Sequence, residues 1–327
     1  MLFDLLSLLF HKFKIENAAR RVRRLFYFNR EKRHEVAAKE IAGFRWHLAA
    51  RANHYLGCGF MSLKIPLMPE WILITGAASG IGAQLSQLFA RDGSNLVLID
   101  KNAAALAEWS AKLETDFAVQ TIPLVLDLSL PETPQNIFNE LQTRKIDIDI
   151  LVNNAGFGTY GEFWEIDIDR DRALVNLNIL APMLLTKLFL PGMVAHKRGA
   201  VLNVGSISGF LASPHATTYY SSKAWLLSFS QGLSTSLRGT GVSVSIVCPG
   251  PTATAFNWHD PDSGNPAPRK PFQMDASEVA RQAYRGMRRG QMVIIPGASN
   301  QFLAFLAKVL PRKVALWLTT VGQNSAN

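Results

Sequence analysis

Beyond residue 70 the chain is punctuated by short runs of apolar residues rich in Ile, Val and Leu: WILIT (71–75), NLVLID (95–100), TIPLVLD (121–127), IDILV (148–152), AVLNV (200–204), VSVSIVC (242–248) and QMVIIP (291–296). A strand with one wet face alternates apolar and polar positions. These runs are apolar almost throughout, which marks strands covered on both faces. Longer helical stretches separate them. The pattern predicts a doubly wound α/β domain over 69–297, a parallel seven-stranded sheet with helices on each side. Residues 1–68 read as a basic amphipathic N-terminal extension and 298–327 as a C-terminal amphipathic helical extension.

The length of 327 residues and the 48% hydrophobic content allow a large core and exclude a disordered chain. Cys58 and Cys248 lie far apart with no partner motif, so neither a disulfide framework nor a metal site is expected, and a reducing, cytoplasmic setting is. The net charge of +9 is unevenly placed. Residues 1–60 carry 12 Lys+Arg against 5 Asp+Glu and residues 269–313 carry 9 against 2, while the remainder is acidic, with 13 against 18. Basic flanks around an acidic centre suggest a domain held by its ends near something anionic.

The opening MLFDLLSLLF is too short to span a bilayer and leads to no small-residue cleavage site, so secretion is not expected. In HKFKIENAARRVRRLFYFNREKR and FLAFLAKVLPRKVALWLTTV, cations interrupt apolar residues as in a helix lying among lipid headgroups on the cytoplasmic face; helices docked on the domain's own surface give the same pattern. No nucleic-acid motif accompanies the charge.

The first strand runs directly into TGAASGIGAQLSQLF, where Gly76, Gly80 and Gly82 precede a helix. Glycines there let the backbone turn sharply and approach a pyrophosphate, whose charge meets free N–H groups at the helix start. The second strand ends at Asp100, eighteen residues after Gly82, where a carboxylate accepts from a ribose 2′-hydroxyl and repels a 2′-phosphate. That favours NAD, with NADP as the alternative because Lys101 follows at once. Farther on, TTYYSSKAWLL sets Tyr219 four residues before Lys223, so a phenol and an ammonium share one helical face.

Taken in chain order, the T-G-x-x-x-G-x-G of Thr75 to Gly82, the N-N-A-G of Asn153 to Gly156 and the Tyr219/Lys223 pair resemble the short-chain dehydrogenase/reductase family. The likeness covers roughly residues 70 to 297. It implies a Rossmann fold with strand order 3-2-1-4-5-6-7, oxidoreductase activity on CH–OH groups with NAD or NADP, and a catalytic set of Asn, Ser, Tyr and Lys. By matching position these are Asn178, Ser206, Tyr219 and Lys223, with Asn176 and Ser208 as competing assignments. The dinucleotide would contact Thr75, Gly76, Ser79, Gly80, Ile81 and Gly82 at the turn, Asp100 and Lys101 after strand two, and Asp127 and Leu128 beside the adenine. Asn154, Ala155 and Gly156 would lie beneath a ribose, with Tyr219, Lys223, Pro249, Gly250, Thr252 and Thr254 around the nicotinamide.

These residues imply a mechanism. A ketone that accepts hydride needs a proton from a group poised near working pH, and an ammonium beside a phenol makes it more acidic. Lys223 is expected to act so on Tyr219 and, by resemblance, to hold the nicotinamide ribose. Ser206 would fix the substrate oxygen, and Asn178 would hold a water leading from Lys223 to solvent. Tyr220 points about 100° away along the helix and should be packing or pocket wall. The loop histidines His215 and His259 have no task in this scheme.

Substrate contacts in this family come from segments after strands four, five and six, here FGTYGEFW, FLASPH and AFNWHD. Phe157, Tyr160, Phe163, Phe210, Phe256 and Trp258, with Ser206, are the expected pocket, supplemented by Trp164 and Leu211. Such a wall suits a bulky apolar ketone or alcohol such as an acyl chain or ring system. No arginine in these loops would bind a small hydroxy acid. A homodimer or tetramer is expected through the helices over 172–194 and from 217. The competing reading is a non-catalytic dinucleotide sensor or scaffold at a membrane, which would have no use for the full catalytic set.

Overall fold

The computed structural model describes residues 69–254, 256, 273–311, 313, 314 and 316. The N-terminal extension over 1–68, with Cys58, and the residues Trp258 and His259 lie outside the described residues, as does the C-terminal extension beyond 316.

The elements run β1 (Trp71–Thr75), α1 (Gly80–Arg91), β2 (Asn95–Asp100), α2 (Ala103–Phe117), β3 (Thr121–Val125), α3 (Thr133–Thr143) and β4 (Ile150–Asn153). Then come α4 (Ile168–Val175), a single π-helical turn (Asn176–Leu180), α5 (Ala181–Ala195), β5 (Gly199–Val204), a 3₁₀ turn (Ile207–Phe210), α6 (Thr217–Ser236) and β6 (Val242–Val247). The chain continues through β7 (Thr252–Ala253), β8 (Met274–Asp275), α7 (Ala276–Arg288), β9 (Val293–Ile294) and α8 (Ala298–Val309).

Seven strands form one parallel sheet in the order β3-β2-β1-β4-β5-β6-β9, the order the sequence predicts. Within β1, Ile72 and Ile74 pack on one face with Leu85 and Phe89 of α1, while Leu73 packs on the other with Leu185 and Phe189 of α5. Each fully buried side chain of this kind stabilises the fold by about 1.5–3 kcal/mol. Two apolar runs are longer than their strands. β3 stops at Val125, whose partner Asp100 is the last residue of β2, and on this edge Val125 is 52% exposed. β9 keeps only Val293 and Ile294, which are paired to Ile246 and Val247.

The continuous helix Ile168–Ala195 has the length and mean hydropathy, 1.7, of a membrane span. Of its apolar stretch 39% is buried in the domain: Ala181, Leu185, Phe189 and Met193 pack with the sheet, and Leu174 packs with Tyr219 and Tyr220.

The carboxyl ends of β1, β4, β5 and β6 open on one edge of the sheet. Between β1 and β4 the strand order reverses, and this divergence of connections leaves the crevice in which doubly wound sheets bind ligands.

Candidate active site

At the end of β1 the backbone enters the left-handed region at Gly76 (φ +64°) and again at Gly80 (φ +55°), a conformation in which a Cβ is strained. Gly82, in the first turn of α1, meets a different constraint. A Cβ there would stand 2.1 Å from the Gly76 carbonyl oxygen and 2.5 Å from Asn154 Nδ2. The turn is locked to β4 through Asn154, whose Nδ2 donates to the carbonyls of Thr75 (2.9 Å) and Gly76 (3.0 Å). In return Thr75 Oγ1 accepts from the N–H of Asn154 (2.9 Å) and Ala155 (3.0 Å). Ser79 precedes α1 without capping it by its side chain, so the first N–H groups remain for an anion.

A cleft of about 960 Å³ runs from this turn across the sheet edge. Ser79, Gly80, Ile81, Asp100, Lys101, Asp127 and Leu128 line one end; Asn154, Ala155 and Gly156 the middle; Lys223, Pro249, Gly250, Thr252 and Thr254 the other. Thr75 and Gly82 shape the turn from behind. The Asp100 carboxylate accepts from the N–H of Ala78 (3.1 Å) and Asn102 (3.0 Å), which fixes it at the cleft wall. Asp127 caps the following turn by accepting from the N–H of Ser129 at 2.8 Å. The bare glycine backbone, the helix N-terminus and the carboxylate at the end of β2 fit a nicotinamide dinucleotide: diphosphate over the glycines, adenine ribose at Asp100.

At the far end Tyr219 and Lys223 project from α6, buried to 4% exposure each. The Tyr219 hydroxyl is hydrogen-bonded to Ser206, whose Oγ also accepts from the Ser208 N–H at 3.1 Å. Lys223 Nζ donates to the Val204 carbonyl at 3.0 Å and lies 5.8 Å from the centre of the Tyr219 ring. Asn178 sits in the π-helical turn between α4 and α5, a distortion often found at functional sites. It donates to the Phe157 carbonyl (2.9 Å) and Ser222 Oγ (3.1 Å) and accepts from the Phe157 N–H (3.3 Å). A Cβ on Gly156 would be 3.0 Å from Asn178 Oδ1 and 3.5 Å from Lys223 Nζ, so these two groups converge over that glycine. Asn176 turns elsewhere, to the Ser129 carbonyl.

Asn178 and Lys223 also border a small cavity of about 10 Å³ with Thr75 and Asn153. That is about the space one water centre needs. Asn153 Oδ1 is buried there with no hydrogen-bond partner, an acceptor that a water would satisfy.

The expected lowering of the Tyr219 pKa by Lys223 is not what this structure shows. Burial dominates and raises the phenol well above its ordinary value, with the Ser206 hydrogen bond pulling the other way. Lys223 is itself pushed down to about 8 by burial, and its ammonium donates to the Val204 carbonyl. The phenol is therefore protonated at neutral pH, the state required of a proton donor.

Cys248 lies close by, fully buried, and burial pushes its thiol up to about 12 against the pull of Lys223. The folded thiol keeps its proton where an unfolded one, near 9.0, loses it, so its contribution to stability is intact below pH 9 and lost as pH rises toward 12. Tyr219 acts in the same sense above 10. Lys223 acts oppositely between about 8 and 10.5, where the unfolded chain binds the extra proton. Above 10.5 Cys248 and Tyr219 act together, with the half-buried Tyr284, also raised by burial, in the same sense, and the thermal midpoint is expected to fall steeply. In Cys248→Ala the fall should be shallower by about 1.4 kcal/mol per pH unit; equal slopes in melting curves of both proteins would refute this.

The substrate end is walled by Phe157, Tyr160, Leu211, Tyr220 and Phe256. Tyr219 meets Phe256 and Tyr220 edge-on at 5.8 and 6.0 Å. Phe210 is elsewhere, packed with Leu226, Leu227, Ile246 and Cys248, and Phe163 and Trp164 are 57% and 78% exposed outside the cleft wall. His215 pairs with Glu162 (3.3 Å) and its carbonyl accepts from the Gly161 N–H, which ties two substrate loops together. Some wall residues belong to no motif. Arg170 of α4 lies over the Phe157 ring at 4.5 Å, and Leu303 comes from α8. Arg170, Ala173 and Leu177 all line the cleft, at i, i+3 and i+7, so helical periodicity points to the arginine even though the loops carry none.

The family model described as short chain dehydrogenase matches residues 70–263, more than half of the chain. The very-long-chain 3-oxoacyl-CoA reductase of Mus musculus is 34% identical over 232 residues, covering 67% of this chain and 72% of that protein. Among solved structures, a short-chain dehydrogenase from Sphingobium yanoikuyae in complex with NADPH superposes with a TM-score of 0.65 at 30% identity, covering 74% of this chain and 97% of that one. The bulky-bulky ketone specific alcohol dehydrogenase from Comamonas testosteroni does so with a TM-score of 0.61 at 29% identity, covering 74% and 95%. With cradle, carboxylate and Ser-Tyr-Lys cluster on one sheet edge, this chain belongs to the short-chain dehydrogenase family and is an NAD(P)-dependent oxidoreductase.

Proposed function

We propose that this enzyme reduces the ketone of a bulky apolar substrate of the acyl-chain class to a secondary alcohol, working on the cytoplasmic face of a membrane. The observation that carries the reading is the wall of Phe157, Tyr160, Leu211, Tyr220, Phe256 and Leu303 directly beside the Tyr219–Ser206 hydrogen bond. A substrate carbonyl held there replaces water with aromatic surface and meets the Tyr219 and Ser206 hydroxyls at the reacting oxygen. The likeness to an acyl-CoA reductase and to an enzyme for bulky ketones supports that class.

A nicotinamide dinucleotide held in the cleft would supply the hydride. Tyr219, protonated at neutral pH, gives its proton to the substrate oxygen. Ser206 donates to the same oxygen and orients it. Lys223, bridging from the Val204 carbonyl toward Gly156, holds the nicotinamide-side ribose, and Asn178 positions a water in the adjoining cavity that returns a proton through Lys223. The enzyme works as a homodimer through the helices of 168–195 and α6, a reading supported by exposed Ile168 and Val175.

A screen of ketones of increasing chain length, following cofactor oxidation, tests this reading. Expected is kcat/KM rising with chain length. Equal rates on short hydroxy-acid precursors would argue against it. Asp100 bears on the cofactor: NAD(H) is expected to be preferred, and Asp100→Ala should lower the NADH/NADPH preference about tenfold or more by removing the carboxylate that repels a 2′-phosphate. An unchanged ratio of kcat/KM values would exclude that role.

A further inference from the structure

Helix α8 faces the wrong way for a helix of a water-exposed domain. Its buried positions are Asn300 and Ala304, and Asn300 Nδ2 donates inward to the Pro296 carbonyl at 2.7 Å. Its large apolar side chains point out. Phe302, Phe305 and Val309, at i, i+3 and i+7, are 62%, 58% and 56% exposed and make one stripe along the helix. Residues at that spacing ordinarily turn to the core. An outward stripe of this size marks a contact surface.

Two further observations say what the contact is. The helix and the residues just past it are cationic in sequence: 298–313 hold 3 Lys+Arg and no Asp or Glu, and Lys308 and, just past the stripe, Lys313 are exposed. The helix is also part of the substrate site. Leu303, next to Phe302, lines the cleft, and Lys308 Nζ sits 5.1 Å over the ring of Phe210 in the segment that follows Ser206. The apolar stripe and the mouth of the apolar cleft thus lie on one element.

We propose that α8 is the surface by which the enzyme docks on an anionic phospholipid bilayer. Phe302, Phe305 and Val309 enter the acyl region, the flanking cations meet headgroup phosphates, and a membrane-dissolved ketone passes over Leu303 into the cleft without crossing water. The inference rests on the apolar-substrate reading above and names the route by which that substrate arrives. A second copy of the chain suits the stripe less well. A two-fold contact would set this cationic region against itself, whereas an anionic bilayer opposes its charge.

The test uses the full chain with sedimentable vesicles of phosphatidylcholine, with and without phosphatidylserine. The double variant Phe302→Ser/Phe305→Ser is expected to partition about tenfold or more weakly than wild type onto the anionic vesicles, with turnover of a short water-soluble ketone and elution volume unchanged. Equal partition of the two proteins overturns the proposal. So does a change of elution volume from dimer to monomer in the double variant, which would assign the stripe to a second copy. An environment-sensitive fluorophore on Phe305→Cys in a Cys58→Ser background gives an independent reading. Its emission should shift to the blue on anionic vesicles, and unshifted emission overturns the proposal. Absence of turnover on every ketone, with the blue shift intact, would sink the ketone reading and leave the docking surface standing.

Discussion

Tyr219→Phe is expected to lower kcat by about 10²- to 10⁴-fold, the contribution of a positioned proton donor, while dinucleotide affinity stays near wild type. The substitution removes one oxygen and nothing else. The ring keeps its edge-on contacts with Phe256 and Tyr220, and Lys223 keeps its hydrogen bond to the Val204 carbonyl. What is lost is the hydroxyl bonded to Ser206. Tyr220→Phe is the matched control. Tyr220 is also buried and walls the same cleft, so it tests whether a phenol in this region suffices. Steady-state rates with fluorescence titration of the cofactor check both; an active Tyr219→Phe beside a dead Tyr220→Phe would reverse the assignment.

Gly82→Ala is expected to abolish dinucleotide binding and to destabilise the fold by about 3 kcal/mol, the upper part of the range for overpacking. The added methyl would stand 2.1 Å from the Gly76 carbonyl oxygen and 2.5 Å from Asn154 Nδ2. Neither neighbour can yield cheaply. The first is backbone in a left-handed turn, and the second is the amide that bridges the Thr75 and Gly76 carbonyls. Relief requires α1 to move off β1, and its N-terminal N–H groups then no longer point where a pyrophosphate would lie. Thermal melts and cofactor titration measure the two effects. Wild-type affinity in this variant would mean that the turn does not serve as the cradle.

The strands WILIT and NLVLID were legible residue for residue because a parallel strand buried on both faces is apolar throughout, a local signal. The glycine turn and the Tyr219/Lys223 pair were legible for a similar reason, since each needs only near neighbours in the chain. What escaped depends on distant packing. Phe210 reads as pocket wall in its own loop, but its position is set by the α6–β6 core and by Lys308, about a hundred residues away. Leu303 joins the cleft from the opposite end of the chain. The acidity of Tyr219 followed the same rule: the i,i+4 spacing predicted an effect of Lys223, whereas burial by Phe256, Leu211 and Phe157 sets its direction.

The account turns on hydride passing between a nicotinamide cofactor in the glycine-lined cleft and an apolar ketone beside Tyr219. Its most direct test is to supply reduced cofactor carrying deuterium at the transferable position, together with long-chain ketones, and to read the alcohol product by mass spectrometry. The account predicts one deuterium on the carbinol carbon with the wild-type enzyme and no labelled product above background with Tyr219→Phe. Tight cofactor binding with no deuterium delivered to any ketone would contradict it.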